Sequence, residues 1–144
     1  ATVYPDCRAL VSIATQTYPE DRTLEGIAKA REDFRVPEQF ARIARYHGDK
    51  TAWVLSNWID RWLDPAFLDW NLDEVLPRVG CPVLAIHGDQ DEYGTTTHAE
   101  RIANETAGPG TLILVAGGGH LPHREQPAAI ARQVADWLAS LPRH

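Results

Sequence analysis

The sequence has no excess of basic charge: its 144 residues carry 14 lysines and arginines against 20 aspartates and glutamates, a net charge of −6. A balance of that sign repels phosphate backbones and anionic lipid, which excludes nucleic acid and a membrane surface as expected partners. No apolar stretch approaches the ~20 residues of a transmembrane helix, and no basic-then-apolar start marks a signal peptide. Cysteine is scarce. Cys7 and Cys81 have no close mate in the sequence and no metal-ligand spacing, so the expected setting is reduced and cytoplasmic. Internal repeats and low-complexity tracts are absent. The first residue is Ala rather than Met, so the sequence is expected to have a processed start or to be a piece of a longer chain.

What is there is an ordinary globular balance, 44% hydrophobic and 24% charged residues, enough for one domain with a core. The apolar run at 9–14 predicts a short buried strand. Residues 17–79 predict helices. Leu24, Ile27 and Ala28 share one face, with Thr23 as N-cap. Pro37 opens a second helix carrying Phe40, Ile43 and Ala44, which stops at Gly48. A third, 51–63, carries Val54, Leu55, Trp58, Ile59, Trp62 and Leu63, a stripe too wide for a helix that only faces solvent. Asp64-Pro65 breaks it, and residues 72–79 predict one more helical piece.

Gly80-Cys81-Pro82 opens the strand 83–87, whose unbroken hydrophobicity suits a strand covered on both faces of a parallel sheet. A helix over 95–106 turns Ala99, Ile102 and Ala103 inward. A third strand follows at 111–115, and a helix at 127–141 carries Ile130, Val134, Trp137, Leu138 and Leu141 at helical spacing. The order predicts an α/β fold of about three parallel strands with flanking helices and right-handed crossovers.

Chemistry in such sheets gathers beyond the carboxyl ends of the strands. Asp91 follows the second strand, and His120 follows the third across Gly117-Gly118-Gly119. A carboxylate beside a histidine fixes its tautomer and stabilises its imidazolium, which makes the pair a candidate proton shuttle. The plainer alternative is a turn aspartate and a surface-loop histidine. His123 reads as a flanking residue, His87 as strand packing, and Glu125 with Gln126 as part of the helix start at Pro127.

The segments Cys-Pro-Val-Leu-Ala-Ile-His-Gly-Asp-Gln-Asp and Gly-Gly-Gly-His-Leu-Pro-His-Arg-Glu-Gln-Pro resemble the carboxyl-terminal half of the α/β-hydrolase family. The resemblance implies a partial α/β-hydrolase fold: residues 1–16 as a core strand after the elbow helix, 17–79 as a helical cap insertion, and 80–144 as the final strand–helix–strand–helix. It implies Asp91 as triad acid and His120 as triad base, acting on an ester or a related carbonyl or carbon–carbon bond of a small-molecule substrate. No cofactor and no metal are implied. The cap tryptophans Trp58 and Trp62 become candidate substrate-binding residues in an apolar lid.

The departure from the family is equally clear. Its nucleophile sits in Gly-x-Ser-x-Gly, whereas the serines here are Ser12, Ser56 and Ser140, none flanked by glycine. The oxyanion-hole loop would also lie upstream of residue 1. Whether the chain is an enzyme is therefore open, and it is expected to be inactive alone. An alternative is a non-catalytic interaction module, complementing a separate amino-terminal half or self-associating through the exposed edge of the first strand. A remote alternative is a calcium loop at 89–100, with Asp89, Asp91, Gly94 and Glu100 spaced as ligands and turn, though Tyr93 stands where an acid or amide is usual.

Overall fold

The strand Val83–Gly88 (β2) is buried at every residue, which is what its apolar run requires. A computed structural model describes residues 6–142. β2 lies between Leu10–Ile13 (β1) and Gly110–Val115 (β3) in a parallel sheet of order β1-β2-β3. The register runs from Leu10 opposite Val83 to Ile13 opposite Ile86, and from Val83 opposite Gly110 to Gly88 opposite Val115. Residues 1–5, expected from the resemblance to open the core-strand segment 1–16, lie outside the described residues.

Contacts divide the chain into two units, one of residues up to Tyr18 with those from Asn71 onward, the other Pro19–Trp70. In the sheet unit, side-chain alternation sends Val83 and Ala85 to one face, with Leu76, Val79, Ala99 and Ile102. Leu84 and Ile86 go to the other, with Val115 and Ile130, as the period of two demands. The helix Thr97–Glu105 thus serves the first face and Pro127–Ser140 the second. Each fully buried Leu or Ile contributes roughly 1.5–3 kcal/mol. Leu112 and Leu114, by contrast, stay 37% and 46% exposed on the outer strand.

In the other unit the helices are Asp21–Asp33 (α1), Pro37–His47 (α2) and Thr51–Trp62 (α3). α3 packs on both α1 and α2 and buries Thr51, Leu55 and Ile59, while α1 buries Thr23, Ile27 and Ala30. Numbered onward, Thr97–Glu105 is α4, the short Pro122–Glu125 is α5, and Pro127–Ser140 is α6.

Several local expectations are corrected. Thr23 is no N-cap: α1 begins two residues earlier at Asp21, and Thr23 is a buried interior residue. Ala28 is exposed, and Ala30 takes its place inside. Residues 72–79 form only the 3₁₀ turn Leu76–Arg78, because Pro77 donates no amide to a longer helix. Their Leu76 and Val79 belong to the sheet's core. Cys7 and Cys81 are close in space: their sulfurs lie 3.8 Å apart.

Candidate functional site

The loops leaving β2 and β3 are tied to each other by backbone before any side chain acts. Gln90 N–H donates to Gly118 O at 2.9 Å, and Asp89 N–H to Val115 O at 3.2 Å. Asp89 Oδ1 in turn accepts the Gly117 N–H at 2.8 Å. Gly117 holds φ at +68°, a left-handed conformation that glycine adopts without strain. A Cβ on Gly88 would lie 2.2 Å from Gly118 O, so only glycine lets the loops approach this closely.

That approach delivers His120 to Asp91. His120 Nδ1 lies 2.9 Å from Asp91 Oδ2 and 3.2 Å from Oδ1. Both oxygens can only accept from it, which places the imidazole proton on Nδ1 and leaves Nε2 as the atom that can take a proton. The Asp91 side chain is fully buried, while His120 keeps 29% of its side chain exposed. Asp91 Oδ1 also accepts the Tyr93 N–H at 2.7 Å, and the Tyr93 ring stands edge-on to the His120 ring at 4.9 Å. Burial opposes the charge on Asp91, but hydrogen bonds from His120 and the Tyr93 amide, with favourable electrostatics from His120 and His87, outweigh it and hold the carboxyl below its ordinary range.

His87 does more than fill space. Its fully buried ring brings Nε2 to 3.2 Å from Asp91 Oδ2 and 3.1 Å from Gly94 O. Carbonyl and carboxylate oxygens are both acceptors, so Nε2 carries the proton and donates. Asp91 therefore holds two histidines. The sequence reading missed this link, although residues 87 and 91 stand across one tight turn. It also missed His98, buried in α4, whose Nδ1 accepts the Thr17 N–H at 3.1 Å and fixes the chain just past β1.

Glutamates set the His120 loop. His120 N–H donates to Glu92 Oε2 at 3.2 Å. Glu125, read from sequence as part of the α6 start, instead accepts the Gly119 N–H at 2.7 Å and the Leu121 N–H at 3.3 Å. Gln126 occupies the α6 N-cap position without a side-chain capping bond. His123 is exposed on α5.

The serines lie in three separate places. Ser12 is buried in β1 opposite Ala85, Ser56 Oγ donates to Trp53 O, and Ser140 Oγ to Trp137 O. The acids of the calcium alternative disperse: Asp89 serves Gly117, Asp91 the histidines, and Glu100 accepts from Thr96 Oγ1. Among the described residues no group of three or more His, Cys, Asp or Glu is placed to hold a metal ion. No described helix is long and apolar enough to cross a membrane.

Trp58 and Trp62 lie on α3 in the helical unit and are half-buried. Trp62 meets Phe67 and Trp70 edge-on at 5.3 and 5.7 Å, and Phe67 stacks on Trp70. Trp58 stands edge-on to Phe34 at 6.4 Å. These ring contacts all lie within the Pro19–Trp70 unit.

A family model described as the alpha/beta hydrolase family matches residues 4–133. Solved structures share the fold. One is the BpoC protein of Mycobacterium tuberculosis, with TM-score 0.66 and 22% identity over 99% of this chain and 62% of that one. Another is a thermophilic esterase of Thermogutta terrifontis, with TM-score 0.55 and 20% identity over 91% of this chain and 55% of that one. A third is an esterase of a Rhodococcus species, with TM-score 0.60 and 17% identity over 93% of this chain and 56% of that one. The chain thus spans 55–62% of the length of these structures. No curated protein sequence matches it.

Proposed function

The chain belongs to the alpha/beta hydrolase family, and we propose that it is the carboxyl-terminal portion of such a hydrolase, with Asp91 as triad acid and His120 as triad base. The observation that carries this reading is the 2.9 Å contact between His120 Nδ1 and the buried Asp91 carboxylate, at the carboxyl ends of neighbouring parallel strands. In the complete enzyme a serine on the amino-terminal side attacks the carbonyl of an ester, or of a related carbonyl or carbon–carbon substrate. His120 Nε2 takes the serine proton and returns one to the leaving group, while Asp91 holds the imidazolium that forms between the two steps. The helical segment 17–79 is assigned the part of the family's cap, and Trp58 and Trp62 that of apolar substrate-binding residues.

Without a nucleophile and an oxyanion hole the chain alone is inactive. Incubation of the purified chain with short acyl esters tests this. No turnover is expected, and serine-dependent turnover blocked by a serine-directed phosphonate would overturn the reading.

A second reading, an interaction module, is favoured by one observation. Beside β1 lies a hollow of about 280 Å³, lined by Leu10, Val11 and Ser12 with Val75, Leu76 and Ile102. Among the described residues no strand pairs with the other edge of β1. Its occupant in this reading is an amino-terminal half supplying the next strand of the sheet. Sedimentation of a stable monomer at high concentration would count against self-association there.

A further inference from the structure

A second pair of reactive side chains lies at the opposite end of the sheet. Asp91 and His120 follow the carboxyl ends of β2 and β3, whereas Cys7 and Cys81 precede the amino ends of β1 and β2. The parallel pairing begins with Leu10 opposite Val83 and the Leu10 N–H donating to Pro82 O at 2.9 Å. That pairing draws together two thiols 74 positions apart in the chain, with Cys7 Sγ 3.8 Å from Cys81 Sγ. Both side chains are free thiols and half-buried, so a small reagent in solvent can reach them.

We propose that Cys7 and Cys81 form a reversible intramolecular disulfide clasp, made by exchange with a small-molecule disulfide such as glutathione disulfide. A disulfide bond is about 2.05 Å long. The sulfurs must therefore close by under about 2 Å from their present 3.8 Å.

The exchange runs in two steps. Burial, then the contact with Cys7, pushes the Cys81 thiol above its ordinary range. One of the two protein sulfurs, as thiolate, attacks one sulfur of the small disulfide. That S–S bond breaks, one small thiol leaves, and the attacking cysteine carries a mixed disulfide. The other cysteine then loses its proton and attacks that protein sulfur, expelling the second small thiol. Two protein thiols are oxidised and one small disulfide is reduced to two thiols, so atoms and electrons balance.

The bond closes a loop that contains the whole Pro19–Trp70 unit. Closing a long loop removes freedom mainly from the unfolded chain. In a reducing compartment the thiols stay open, and under oxidising conditions the clasp adds stability at the end of the sheet away from Asp91 and His120.

The test uses the purified, reduced chain with glutathione disulfide. Expected is a monomer lighter by two hydrogens, with both thiols lost to a maleimide reagent and a peptide joining Cys7 to Cys81 after proteolysis. Its Tm should rise by roughly 5 °C or more and return with a dithiol reductant. Cys7→Ser and Cys81→Ser should each keep a glutathione adduct, because the resolving thiol is gone. Wild-type chain that ends with two persistent adducts, as a covalent dimer, or with both thiols still free would overturn the proposal.

Discussion

His87 Nε2 lies 3.2 Å from Asp91 Oδ2, the same buried oxygen that His120 Nδ1 meets at 2.9 Å. One carboxylate thus contacts both the partly exposed His120 and the fully buried His87. Replacing His87 with Phe removes a buried donor to both Asp91 and Gly94 O. A loss of about 1–3 kcal/mol is expected, measured by urea unfolding. His87→Gln, which can still present an amide donor, should recover part of it.

The depressed pKa of Asp91 makes stability depend on pH with a definite sign. Burial works against the charge, but the hydrogen bonds from His120 and the Tyr93 amide prevail. The folded chain then binds fewer protons at this site than the unfolded chain. The stabilisation is complete above the unfolded value near 4 and is lost as pH falls through the lower folded value. Asp91→Asn should cost about 1–3 kcal/mol at pH 6–7, and its difference from wild type should shrink below about pH 4. Urea titrations from pH 7 downward check this, and a difference constant with pH would contradict it.

Gly88→Ala tests the closeness of the two loops. The new Cβ would meet Gly118 O at 2.2 Å and Gly119 O at 2.3 Å, backbone atoms that yield only if the loop shifts. A loss of about 2–3 kcal/mol is expected. The His120 ring resonances should move with it, because the His120 loop must retreat from β2.

Glu125→Ala should loosen the His120 loop while leaving α6 in place. The Gly119 amide, held at 2.7 Å by Glu125, should exchange with solvent markedly faster. If the side chain served the α6 start instead, protection would fall in the first turn after Pro127.

Much of the fold was legible because burial writes itself into composition. Val83 to Ile86 is apolar without a break and is buried on both faces; Ile130 and Val134 recur at helical spacing and turn toward the sheet. Asp91 and His120 were legible because each stands where a strand ends. The glutamates were not, since Glu92 and Glu125 act through backbone amides of a distant loop and leave no spacing signal. Cys7 and Cys81 were opaque for the same reason: only the β1–β2 register brings them together. Thr23 misled because a hydroxyl near a helix start suits a cap and a buried turn equally well.

The most direct measurement is labelling by a serine-directed phosphonate together with turnover of a short acyl ester. It is run on this chain and on the product of the same reading frame extended upstream. The account predicts no label and no turnover for the 144-residue chain. For the extended product it predicts one labelled serine within Gly-x-Ser-x-Gly, and a loss of roughly 10⁴-fold in kcat with Asp91→Asn or His120→Ala. Labelling of the shorter chain alone, or an extended enzyme indifferent to His120→Ala, would contradict it.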